Sequence, residues 1–208
     1  MTFEEEITDL KRLRELMPFN ESGGPALKVS DRLNDVARQF IRHSPFIVLA
    51  TKAFEGLIDV SPKGDPAGFV QVLDDKTIAI PDRLGNHRAD GFVNILSDPN
   101  VAVIFFVPNN GFTLRIAGAA KIVRDTKLNA SMAVNGREPE LALVVEIQEA
   151  FMHCAKAIIR SGLWRSESWP ERGVAPRLAD WQVAVADDGR TVDEVFAVHT
   201  NDEETRLY

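Results

Sequence analysis

Apolar positions recur at helical spacing near both ends of the chain and in short strand-like runs through its middle. Ile7, Leu10, Leu13 and Met17 predict a first helix, which Pro18 stops. Residues 21–25, ESGGP, read as a loop. Leu33, Val36, Ala37, Phe40 and Ile41 then mark one face of an amphipathic helix, with Ser30 or Asp31 as its cap. After Pro45 the period changes. Runs rich in Val, Ile and Phe arrive at 47–51, 57–60, 77–80, 101–107 and 114–123. Turn residues separate them: Glu55-Gly56, Lys63-Gly64-Asp65-Pro66, Asp74-Asp75 and Asn109-Asn110-Gly111. Such a succession predicts a small barrel or sandwich.

A helix over 86–97 interrupts the strands, with Phe92, Ile95 and Leu96 on one side and Asp98-Pro99-Asn100 as its stop. Another is predicted from Asp125 to Asn135-Gly136, then a strand from Leu141 to about Ile147, then a helix over 153–161 ended by Gly162. Thr191 to Glu194 spells a capping box, and Val192, Val195, Phe196 and His199 form the stripe of a tail helix. The expected plan is a helical arm over 1–43 packing on a barrel over 44–165, with a helical tail over 166–208, all in one structural domain.

Composition narrows the function classes. The 208 residues carry a net charge of -7, which opposes a general phosphate-binding surface and hence a nucleic-acid partner. Cys154 is the only cysteine, which excludes an internal disulfide and a Cys-rich zinc site. The charged first residues lack the apolar core of a signal peptide, and no run approaches the ~20 apolar residues of a membrane span. A cytoplasmic protein without a membrane partner or bound metal is expected. Gly-x-Ser-x-Gly, Walker A, His-Glu-x-x-His and Gly-x-Gly-x-x-Gly patterns do not occur.

Three segments hold polar residues that a barrel core does not require. In Asp59-Val60-Ser61-Pro62-Lys63-Gly64 a strand runs into a Pro-Lys-Gly turn, which sets Lys63 at a barrel mouth; an ordinary solvated turn has the same composition. In Pro81 to Arg88 a strand passes into a helix with Asn86 as its cap. The unpaired N–H groups of a helix start favour an anion, and Arg83 and Arg88 add bidentate donors. Cations there oppose the helix dipole, a conflict that a bound anion resolves; simple capping with exposed arginines is the other reading. In His153 to Trp164, Lys156 and Arg160 share a helix face that ends at Ser161, Gly162 and Trp164. That face suits an anion and a flat ring, or merely solvent. Cys154 reads as an activated thiolate or, more simply, as a buried or incidental thiol.

In chain order, the stretches SPFIVLAT, DVSPKGDPAGFVQVLDD, IPDRLGNHRADGFVNIL, LRIAGAAKIV and HCAKAIIRSGLW resemble the FMN-binding split-barrel flavoproteins related to pyridoxamine 5'-phosphate oxidase. The likeness runs over residues 30 to 165 and is densest from Asp59 to Leu96. It implies a mainly β fold, a Greek-key split β-barrel with N- and C-terminal helices. It implies a homodimer with FMN in a cleft between the barrels. By position, Ser61, Pro62 and Lys63 would line the flavin, and Arg83, Asn86 and Arg88 would hold its phosphate. Thr113 falls where the family carries a glutamine near the cofactor. Lys156, Arg160, Ser161 and Trp164 would reach the cofactor from the partner chain.

The activity so implied is an FMN-dependent oxidoreductase that accepts a hydride at flavin N5, its substrate unassigned. The C-terminus departs from the family. The oxidases end in a strand whose tryptophan and arginine grip substrate and flavin, whereas Thr191 to Tyr208 reads as a helix and an acidic tail. Pyridoxal phosphate synthesis is therefore not expected. Competing readings are a flavin-binding or sensing protein without turnover, a purely structural dimeric barrel, and a split barrel for deazaflavin or haem. For haem, His43, His87, His153 and His199 are the only histidines available as axial ligands.

Overall fold

The computed structural model describes residues 2–20, 23–85 and 88–208. The expected caps and loop at Glu21, Ser22, Asn86 and His87 lie outside them. Seven strands form one antiparallel sheet: β1 (Phe46–Lys52), β2 (Ile58–Gly64), β3 (Gln71–Val72), β4 (Thr77–Pro81), β5 (Asn100–Phe106), β6 (Thr113–Val123) and β7 (Ala142–His153). Their order is β2-β1-β5-β6-β7-β4-β3. β5, β6 and β7 make a meander, and β4 lies on its far side. The chain crosses from β4 to β5 through a helix, which gives the Greek key.

The sheet curls because one face of every long strand is apolar. Ile47 and Leu49, Ile78 and Ile80, Val103 and Phe105, Leu114 and Ile116, and Leu143 and Val145 all enter a single buried cluster. Period-2 alternation directs them inward, and closing the sheet buries all of these rows together. Helix α1 (Leu10–Leu16), which buries no residue, and the single turn α2 (Gly24–Leu27) come first, and helix α3 (Asp35–His43) adds Ala37, Phe40 and Ile41 to that core, joined by Leu33 just before it. Its cap is Asn34, whose side chain accepts from the Ala37 N–H, not Ser30 or Asp31. Leu33 therefore packs from outside the helix, and Val36 faces solvent.

Several boundaries move relative to expectation. β2 continues through Ser61-Pro62-Lys63-Gly64, and the turn begins only at Asp65. Pro62 is tolerated because β2 is an edge strand, where a missing N–H breaks no ladder. Helix α4 (Asp90–Ser97) starts four residues later than Asn86. It buries Asn94 and Ile95 and leaves Leu96 exposed, because Asn94 donates to the buried Thr51 Oγ1 at 2.9 Å. Helix α5 (Thr126–Ser131) begins at the expected Asp125 cap but ends early. Asn135 and Gly136 instead form the two-residue turn of a Val134–Arg137 bridge, both with positive φ. β7 runs to His153, six residues beyond Ile147, so the following helix α6 (Lys156–Ser161) is short; Gly162 ends it in the left-handed conformation, as expected. The tail forms α7 (Leu178–Ala186) and α8 (Val192–Thr205), the latter with the predicted capping box.

β7 carries a bulge that the sequence does not announce. Ala117 pairs with Glu149 but Gly118 pairs with Ile147, so Gln148 is the extra residue. The inward parity of β7 flips there: Leu143, Val145 and Ile147 point in before it, Ala150 and Met152 after it.

Candidate functional site

β2 stands at one end of the sheet order and β4 and β3 at the other, so the barrel is split along the seam between them. An open cleft of about 1280 Å³ occupies this seam. The cross-strand pairs Leu49–Ser61 and Ile47–Lys63 show how β2 serves it: Ser61 and Lys63 share the face of the core residues, but at an edge where no further strand covers them. Lys63 places its ammonium 6.0 Å from the ring centre of Phe92, on α4. Pro62 points to the opposite face beside Val48 and contributes at the rim.

Arg83 leaves the end of β4 and Asp65 leaves the end of β2. Arg83 Nε donates to Asp65 Oδ2 at 2.5 Å, across the seam. The Asp65 side chain is fully buried and that of Arg83 only 17% exposed. Arg83 Nη2 also donates to the Met132 carbonyl at 2.8 Å. The pair thus staples the two edges of the split sheet. Arg88 borders the same cleft in an exposed position, with Nε donating to Asp90 Oδ2 at 2.8 Å. Asp90 opens α4, so the conflict between the arginines and the helix dipole is met by the chain's own carboxylate. The cap residue Ala89 is held at φ 54, a left-handed conformation costly for a residue with a Cβ.

The sequence reading singles out neither Tyr208 nor Arg137, both of which line the cleft. Tyr208 donates its hydroxyl to Asp65 Oδ1 at 2.7 Å, and its ring centre lies 5.8 Å from the Arg83 guanidinium. The Asp65 carboxylate holds its phenol above the ordinary tyrosine range. Arg137, on the Asn135-Gly136 turn, donates to the Tyr208 carbonyl. No local pattern signals this, since the four groups come from four distant segments.

The structure brings Ser61, Pro62, Lys63, Arg83 and Arg88 to one cleft. It does not bring Thr113, Lys156, Arg160, Ser161 or Trp164 there. Ile122 borders the cleft near the end of β6, whereas Thr113 opens that strand about 30 Å away along it. Thr113 is buried beside His153. Lys156 and Arg160 are exposed on α6, Ser161 Oγ donates to the Ile158 carbonyl, and Trp164 Nε1 donates to the Asn110 carbonyl at 2.8 Å. Thr113 lies on the outer face of the sheet, paired with His153 three residues before α6.

That outer face is apolar at its centre. Val48, Ala50, Ala102, Ile104 and Ala117 sit in adjacent cross-strand rows and stay half-buried, with Val60 more exposed on β2. At its edge Arg115 stacks on Phe151, with its guanidinium 5.3 Å from the ring centre, while its buried Nε has no hydrogen-bond partner among the described residues. His153 packs on Phe151 at 4.8 Å, and burial together with Lys28 and Arg115 lowers its pKa. Cys154 is exposed rather than buried, and the Lys156 N–H lowers its thiol pKa. Among the described residues, no group of three or more His, Cys, Asp or Glu could hold a metal ion, and no helix is long and apolar enough to cross a membrane.

Fold and cleft together define a class: a Greek-key split barrel with helical additions and a charged cleft at its seam. The chain belongs to the pyridoxamine 5'-phosphate oxidase family, whose profile matches residues 33–154. No curated protein matches it significantly. Among solved structures, it is similar to HupZ of Group A Streptococcus at 18% identity and a TM-score of 0.47, over 58% of this chain and 93% of that one. It is also similar to an F420 reductase at 17% identity and a TM-score of 0.42, over 58% and 98% of the two chains. An FMN-binding protein from Syntrophomonas wolfei shows 11% identity and a TM-score of 0.43, over 56% and 82%.

Proposed function

We propose that the seam cleft binds FMN and that the protein is an FMN-dependent oxidoreductase acting as a homodimer. The carrying observation is the convergence of Lys63 from β2 with Arg83 and Arg88 from the segment between β4 and α4 on one cleft large enough for a nucleotide. Arg83 and Arg88 are each paired with a carboxylate, whereas Lys63 lies over the aromatic face of Phe92. An incoming phosphate would therefore meet Lys63 directly, and would share Arg83 and Arg88 with Asp65 and Asp90. The family membership favours a flavin as the bearer of that phosphate. Bound flavin would supply two-electron redox chemistry, while the chain would orient it and exclude water.

The homodimer is supported by the apolar outer face, which a second copy would cover. Such a contact would also bring Thr113, Lys156, Arg160, Ser161 and Trp164 of one protomer towards its partner's cleft. Haem is the weaker reading, because His43, His153 and His199 do not line the cleft.

The test is an absorbance spectrum of the purified protein with mass identification of any released chromophore, followed by FMN titration of the stripped protein. Flavin bands and saturable FMN uptake are expected. Lys63→Ala and Arg88→Ala should each weaken binding about tenfold, the loss of one charge-assisted contact. A protein that takes up no FMN, or a Soret band in its place, would overturn the assignment.

A further inference from the structure

We infer that Tyr208 is a positioning residue of the cleft, closing it over Arg83 and setting the direction of the Arg83 guanidinium through Asp65. The inference rests on the flavin reading above and goes beyond it, since it makes the end of the tail part of the binding site.

Three independent contacts fix the residue. Its hydroxyl donates to one oxygen of Asp65, and the other oxygen of Asp65 receives Arg83 Nε. Its ring faces the same guanidinium. Its backbone is held by Arg137 from the turn before β7. Asp65 is fully buried at its side chain, so the direction of its two oxygens is fixed by the groups they meet. Removing the phenol would free one oxygen and let the carboxylate turn against the guanidinium. Arg83, still held at Nη2 by the Met132 carbonyl, would then lose the fixed partner of its Nε and with it one of the two bonds that orient it, while keeping its charge.

The tail is a wall and not a plug. The cleft measures about 1280 Å³ with Tyr208 in place, above the usual span of small-molecule sites, about 300–1,000 Å³. A nucleotide need not expel the ring to enter. It would instead find Arg83 already backed by an aromatic face, which limits the guanidinium to the side facing the cleft.

Tyr208 is also the only tyrosine, so labelling with 3-fluorotyrosine gives a single fluorine resonance that reports this residue alone. FMN affinity of the full chain should fall about tenfold in Tyr208→Ala and only about threefold in Tyr208→Phe, which keeps the ring and loses the hydroxyl. Arg137→Ala should shift the fluorine signal of the unliganded protein towards that of free tyrosine. In the parent protein, added FMN should shift the signal without moving it to the free position. FMN binding as tight in Tyr208→Ala as in the parent, or tighter, would overturn the inference while leaving the flavin assignment intact. So would a fluorine signal that FMN drives to the free position. A parent protein that binds no FMN would overturn both.

Discussion

At the scale of single residues, the cleft cations are not equivalent. Arg88 is exposed and pairs with an exposed partner, so its removal touches little of the fold. Arg83 is bound into the seam, and its removal strands a buried carboxylate. Arg83→Ala should therefore lower unfolding stability by about 3 kcal/mol, the cost of breaking a buried pair from one side. Arg88→Ala should change it by less than about 0.5 kcal/mol. Urea unfolding of the two variants checks this, and equal midpoints would show that the Arg83–Asp65 pair does not hold the seam. For the same reason, a loss of FMN in Arg83→Ala has to be read beside its stability, whereas the same loss in Arg88→Ala reports the ligand.

At the scale of elements, the junction of β6 and β7 is the least forgiving. The two strands depart from regular pairing at one place, where Gly118 faces the bulge at Gln148. A Cβ on Gly118 would lie 2.0 Å from the Glu146 carbonyl oxygen, a backbone atom that cannot swing aside. Gly118→Ala should destabilise the protein by about 2–3 kcal/mol, read as a lowered melting temperature, because the ladder must separate to admit the methyl group. Gly136→Ala, at an open turn with no heavy atom within reach, should be milder and reflect only its positive φ. A Gly118→Ala variant as stable as the parent would show that β7 can shift its bulge. The helices obey simpler rules. Asn34, Asp125 and Thr191 cap theirs through local side-chain bonds, while α4 begins without such a bond at the strained Ala89.

At the scale of the whole molecule, the open question for the barrel is its outer face. The inner face buries its apolar rows against one another, but Val48, Ala50, Ala102, Ile104 and Ala117 present a second apolar surface outwards. Ile104→Lys places a charge in the middle row of that surface, beside Val48 and Arg115. It should convert the proposed dimer to a monomer, measured by sedimentation equilibrium, and weaken FMN binding with it. A parent protein that sediments as a monomer at micromolar concentration would remove the basis for the shared site.

The sequence by itself determined the apolar runs of β1, β4, β5 and β6, the helix caps at Asp125 and Thr191, the stop at Gly162 and the grouping of Arg83 with Arg88 in one segment. These depend on neighbours a few residues apart, where alternation and capping chemistry act. Even so, local reading set Lys63 in a turn. Only pairing with β1 across the edge of the sheet keeps β2 extended through Pro62. The tertiary structure alone decided which carboxylate meets Arg83, that Tyr208 joins the cleft, and that the second basic segment stands at the far end of β6. Those contacts span up to 143 residues of chain, as Tyr208 to Asp65 does. Curling of the sheet, and not any local preference, brings such groups together, because the buried rows pack against one another only when its two ends approach across the seam.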